Sequence, residues 1–125
     1  MQTVARAAPA LRFQRNQVLR TGAQFQGVYR QGRRFGNDLL TAAVCANPAG
    51  IPRLGLSIAA RTVGNAVARN RLRRVIRESF RLSQLELPAV DIVIGARNAA
   101  RAAQSDAVRA SLSKLWAQII DTCAK

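Results

Sequence analysis

The chain has 125 residues, 49% of them hydrophobic and 5% aromatic, which suits a single domain whose core is built from Leu, Ile, Val and Ala without metal or disulfide staples. Lys plus Arg number 20 against 6 Asp plus Glu, a formal charge of +14, and such an excess calls for an anionic partner, nucleic acid or anionic membrane. There is no His, Cys45 and Cys123 lack metal-ligand spacing, and no apolar run approaches the roughly 20 residues of a membrane span, which argues against a zinc centre, a histidine general base and a transmembrane protein.

Residues 1–18 read as a basic arm, ordered in part, ahead of one domain over 19–125; Arg6, Arg12, Arg15 and Arg20 precede the first acid, Asp38. Thr21 to Gln31 predicts a helix capped by Thr21, with Phe25, Val28 and Tyr29 on one face and Gly32 as its stop. Arg33 to Asn37 reads as a loop. Leu39–Ala46 and Arg53–Ala59 read as strands joined through Asn47-Pro48-Ala49-Gly50, and a hairpin is expected between them. Arg61 to Asn65 is a connector with Asn65 as cap of a long helix, AVARNRLRRVIRESFRL. Asp91–Ala96 is a continuous apolar strand, expected at the centre of a sheet. Asn98–Ala103 is a connector with room for a helical turn. Ser105 is expected to cap a last amphipathic helix packed through Val108, Leu112, Leu115, Trp116, Ile119 and Ile120. The order α-β-β-α-β-α defines an α+β class, a small mixed sheet packed with helices.

The long helix carries the strongest signal. At about 100° per residue, Leu72, Val75, Ile76 and Phe80 share one face, and Arg69, Arg73, Arg74, Arg77 and Arg81 line the other around Asn70. An ordinary solvated face alternates acids and bases at i,i+4, whereas Arg69, Arg73 and Arg77 stack without acidic relief and repel one another. A polyanion that removes the repulsion explains the pattern. Arginine forks suit phosphates and bases, so the candidate partner is a nucleic acid, RNA or DNA; a membrane is disfavoured because the apolar face is needed for the core. DNA is not expected, because neither a helix-turn-helix partner nor a dimer seam is evident.

The run RLGLSIAARTVGNAVARNRLRRVIRESFR, from Arg53 to Arg81, resembles the signature of the bacterial ribonuclease P protein subunit. Asp91-Ile92-Val93 is similar to the family's acid-led strand, and Phe25 to Gly32 to its first helix and the glycine that follows. The resemblance covers roughly Leu19 to Trp116. It implies a protein that binds a catalytic RNA and the 5′ leader of precursor tRNA, promoting removal of the leader while the RNA performs the hydrolysis with magnesium that it holds itself. It further implies a left-handed β-α-β crossover, against the general right-handed rule. By motif, the contacts to the catalytic RNA are Arg61, Asn65, Arg69, Asn70, Arg71, Arg73, Arg74 and Arg77, and the leader cleft takes Phe25, Tyr29 and Arg30. The chain departs from the pattern at Ala60-Arg61, where paired lysines are usual, at Val18-Leu19, where Arg-Leu is common, and in the strand LLTAAV, which lacks an aromatic that some members show.

Several residues carry two readings. Phe25 and Tyr29 serve either the core or the cleft, and Phe35 either stacks on RNA or anchors its loop. Trp116 is expected in the core, Glu78 to pair with Arg74 or Arg81, and Asp91 to make local hydrogen bonds. Asn70 can read a 2′-hydroxyl or a base edge. No residue is expected to be catalytic or to bind metal by itself. The expected setting is the cytoplasm, with free thiols and a protein that is monomeric before RNA arrives. The alternative function is a ribosomal-type RNA-binding module without catalysis.

Overall fold

The computed structural model describes residues 17–123; most of the proposed arm, residues 1–18, lies outside them. The elements are α1 (Gly22–Gln31), β1 (Arg33–Gly36), β2 (Leu40–Ala46), β3 (Arg53–Ser57), the short helix α2 (Ala60–Val63), α3 (Ala66–Ser83), β4 (Val90–Ala96), a 3-10 helix (Asn98–Arg101) and α4 (Ser105–Cys123). The α+β class and the long predicted elements are as expected.

α1 starts at a capping box. The Thr21 hydroxyl accepts from the Gln24 N–H (3.1 Å), and the Gln24 side-chain oxygen accepts from the Thr21 N–H (3.1 Å). Gly32 ends the helix, but not through a left-handed turn: its backbone is extended, with φ −88° and ψ 166°. The reason for glycine is space. A β-carbon at Gly32 would lie within 2.5 Å of the Val28 and Val44 carbonyl oxygens. Both are backbone atoms that cannot swing aside, so Gly32→Ala is expected to destabilise the domain by about 1–3 kcal/mol, read as a lower denaturation midpoint at unchanged m-value.

The sheet order is β1-β2-β4-β3, and this corrects two expectations. Arg33–Gly36 is an edge strand rather than a loop, antiparallel to β2 from Arg33↔Val44 to Gly36↔Thr41. Three of its four residues are exposed, so backbone pairing alone defines it and no apolar alternation announces it. Asn37 closes the turn: its side-chain oxygen accepts from the Leu39 and Leu40 N–H groups (3.1 Å each) and from the Ser111 hydroxyl of α4 (2.6 Å).

The expected hairpin between the second and third strands does not form. β4 lies between them, antiparallel to β2 and parallel to β3. β4 is apolar on both faces, with Val90, Ile92, Val93 and Ile94 all buried, so it belongs where helices cover the sheet on both sides. Asp91 fixes the junction. It accepts Arg53 Nε (2.7 Å) and a second guanidinium nitrogen (2.9 Å), and also the Asn47 side-chain amide (2.8 Å). The Asp91 hydrogen bonds hold the Arg53 guanidinium above its usual pKa.

The strand period of two divides the core. Leu40, Ala42 and Val44 of β2 and Val90, Ile92 and Ile94 of β4 join the main core with α3 and α4. Ala43 and Val93 face the other way, onto Leu19 and Val28 beneath α1. The result is three layers, with α1 on one face of the sheet and α3 with α4 on the other. Phe35 packs against the main core, so it anchors β1. Trp116 is buried as expected and donates its indole N–H to the Ser79 hydroxyl (2.8 Å).

Two smaller corrections concern helix starts. The connector after β3 contains the helical turn α2. Ser105 is the first residue of α4 rather than its cap; the Gln104 carbonyl accepts the first helical bond, from Val108 (3.1 Å). The Ser105 hydroxyl instead accepts from Arg71 (3.2 Å).

Candidate nucleic-acid interface

α3 begins at Asn65, whose side-chain oxygen accepts the Ala68 N–H (3.0 Å). Its first turn holds no acid, and its buried residues are Leu72, Val75, Ile76 and Phe80. The packed face predicted from the helical period is therefore the one that meets the sheet. The arginines fall on the remaining surface, but they divide into three groups.

The first group is outward. Asn70, Arg74, Arg77 and Arg81 border a shallow hollow of about 360 Å³ together with Glu78. Glu78 pairs with Arg81 in the i,i+3 sense, and the Arg81 hydrogen bond holds its carboxyl below the usual range. The second group turns toward α1. Arg73 and Arg77 stand across β3 from Phe25, and between them lies a groove of about 240 Å³ floored by Leu54, Gly55 and Leu56. Arg77 borders both concavities. The third group is Arg71, whose guanidinium donates to the Ala103 carbonyl (3.3 Å) and the Ser105 hydroxyl. It braces α3 against the start of α4.

The remaining sequence candidates are dispersed. Arg61 is exposed on α2, and Asn65 is engaged as the helix cap. Arg69 is half-buried, and its Nε is buried without a hydrogen-bond partner. Tyr29 and Arg30 lie one turn beyond Phe25 on α1 and do not line the groove. The Tyr29 ring is covered by the Arg34 guanidinium, 5.1 Å from its centroid, a cation–π contact between α1 and β1.

Two groove components escaped sequence reasoning. Gly55 provides the space that Phe25 occupies, since a β-carbon there would lie 2.8 Å from the tip of the ring. The glycine of the R-x-G-x-S pattern was the available signal. Arg20, noted only as one of the basic residues ahead of the first acid, also lines the groove. It is held there because the chain runs along the free edge of β3: Val18 bridges Leu54, and the Leu19 N–H donates to the Leu54 carbonyl (2.9 Å). Gln17 secures this segment, donating to the buried Gln84 side chain (2.7 Å).

Three of the chain's carboxylates are paired with arginine: Asp91 with Arg53, Glu78 with Arg81, and Asp106 with Arg109. Arg69, Arg73, Arg74 and Arg77 have no acidic partner among the described residues. No group of three or more His, Cys, Asp or Glu converges among the described residues. Cys45 and Cys123 are free thiols. No helix in the described residues is long and apolar enough to cross a membrane.

Fold and site thus define an α+β domain that presents a helix with four arginines unpaired by acids among the described residues, and an adjoining groove with one aromatic wall, surfaces suited to a polyanion. The ribonuclease P family model matches residues 13–120. The ribonuclease P protein component of Escherichia coli is 42% identical over 106 residues, spanning 85% of this chain and 89% of that protein. Among solved structures, the Staphylococcus aureus RNase P protein superimposes with a TM-score of 0.79 at 30% identity, covering 83% of this chain and 97% of that one. The Thermotoga maritima RNase P protein gives 0.74 at 27% identity, covering 81% and 96%. The chain belongs to the bacterial ribonuclease P protein family, as the run from Arg53 to Arg81 implied.

Proposed function

We propose that this protein component of ribonuclease P, which serves tRNA 5′ processing, docks on the catalytic RNA through the outer face of α3 and receives the 5′ leader of precursor tRNA in the groove between α1 and β3. The observation that carries the reading is the pairing of Arg73 and Arg77 with Phe25 across Leu54-Gly55-Leu56. Guanidinium groups on one wall suit backbone phosphates, and an aromatic on the other suits an unstacked base, the two elements of single-strand recognition. Arg20 adds a cation at the groove mouth, and Arg74 with Asn70 continues the surface outward.

Hydrolysis of the phosphodiester is assigned to the RNA subunit, with magnesium held mainly by that RNA. The donor set of the chain supports this: it has no histidine, and the acids on β4 and α3 are engaged with arginines. The side chains bind, neutralise phosphate charge and position the leader. Cytoplasmic residence and a monomeric state before assembly accord with this role.

The test is leader cleavage at low magnesium and moderate salt, with a bacterial ribonuclease P RNA and precursor tRNA. The protein is expected to raise cleavage above that of the RNA alone; no gain would overturn the reading. Phe25→Ala is expected to weaken binding of precursor tRNA by about 1–3 kcal/mol, the range for loss of an aromatic stacked on a base. Affinity for mature tRNA, which has no leader, should stay unchanged. Equal losses for both substrates would remove Phe25 from the leader site.

A further inference from the structure

We propose that the 3-10 helix Asn98–Arg101 is a second RNA-docking element and that Arg101 is its phosphate contact, an inference that rests on reading α3 as the RNA-binding helix. Two acid-free stretches meet at this place. Residues 39–77 contain no Asp or Glu, and neither do residues 92–105. They are distant in sequence, and tertiary packing joins them. α2 packs against the 3-10 helix, and Arg71 ties α3 to Ala103 and Ser105 just beyond it.

Arg101 lies over Gly64, the residue that links α2 to α3. A β-carbon at Gly64 would stand 3.4 Å from both Nε and Nη2 of Arg101. Gly64 has φ +112°, a conformation that side chains rarely adopt, so its bare backbone is a settled part of the surface on which the guanidinium rests. Arg53, Arg81 and Arg109 each have a carboxylate partner. Arg101 is exposed and makes no side-chain hydrogen bond or ion pair with the described residues. Its guanidinium therefore keeps its full charge and donor set, next to the connector that carries Arg61 and the start of the helix that carries Arg69. No acid in either stretch offsets that charge, and RNA phosphate is the partner that does. The 3-10 helix thereby extends the cationic surface of α3 around its N-terminal end.

The experiment measures binding of ribonuclease P RNA to wild type, Arg101→Ala, Arg101→Lys and Arg73→Ala over a range of salt concentrations. Arg101→Ala is expected to weaken binding roughly three- to ten-fold near physiological salt and to flatten the log–log salt dependence by about 0.7–0.9 units, the loss of one phosphate contact. Arg101→Lys should recover most of the slope, because a cation suffices. The thermal melt of Arg101→Ala without RNA should match wild type, since the side chain has no partner within the described fold. Wild-type affinity and slope in Arg101→Ala, with weakened binding in Arg73→Ala, would overturn this inference and leave the reading of α3 standing. Absence of salt-dependent binding by wild type itself would overturn both.

Discussion

Truncating Phe80 to alanine is expected to cost the domain about 3–5 kcal/mol, the range for a large aromatic removed from a sealed core. Phe80 is fully buried and meets Trp116 edge-on, with ring centroids 6.1 Å apart and an interplanar angle of 65°. It sits where α3 packs on α4, so the cavity would open between the two helices that close the main core. A domain of this kind is stable by only about 5–15 kcal/mol, and the loss should lower the melting temperature by roughly 10–25 °C. The effect should reach function, because the helix that buries Phe80 also carries Arg73 and Arg77. Urea unfolding at unchanged m-value measures the cost; a loss below about 1 kcal/mol would show that the site collapses around the cavity.

Replacing Arg73 and Arg77 together with alanine is expected to have the largest effect on RNA. Two phosphate contacts are removed, so the log–log salt dependence should flatten by about 1.4–1.8 units and affinity near physiological salt should fall roughly 10- to 50-fold. The free protein should respond in the opposite sense. Arg69, Arg73 and Arg77 stack at i,i+4 without a carboxylate partner among the described residues, and relieving that repulsion should leave stability equal or higher by a few tenths of a kcal/mol. Weaker RNA binding beside unchanged or improved folding separates an interface from a structural cluster. An unchanged salt slope would return both arginines to an ordinary solvated face.

Legibility in the sequence followed the range over which each signal acts. The buried face of α3 could be read because helical period is local, and Leu72, Val75, Ile76 and Phe80 fall on it. The central place of β4 could be read because a strand apolar on both faces must be covered on both faces. The neighbours of β4 could not. The turn after β2 announces a reversal of the chain, but a strand from 44 residues later enters the gap, and Asp91 meets Asn47 there. β1 was invisible because three of its four residues face solvent and only backbone pairing defines it.

The candidate site divides in the same way. Of the residues that the resemblance assigns to a leader cleft, Phe25 lines the groove beside Arg73 and Arg77, and Tyr29 and Arg30 are not among its lining residues. Arg20 was indistinguishable from the arm before it, because its place depends on a backbone bond from Leu19 to Leu54.

The sequence by itself determined an α+β domain of high positive charge, a helix with one apolar and one arginine face, and membership in a family marked by the run from Arg53 to Arg81. Only the tertiary structure decided what each arginine does. Arg53 is bound to Asp91 and Arg71 to the start of α4, while Arg73 and Arg77 face a groove and Arg101 rests on Gly64. Composition counts charges and period assigns them to faces, but neutralisation depends on distances of a few ångströms between residues far apart in the chain, and those distances exist only once the layers have packed.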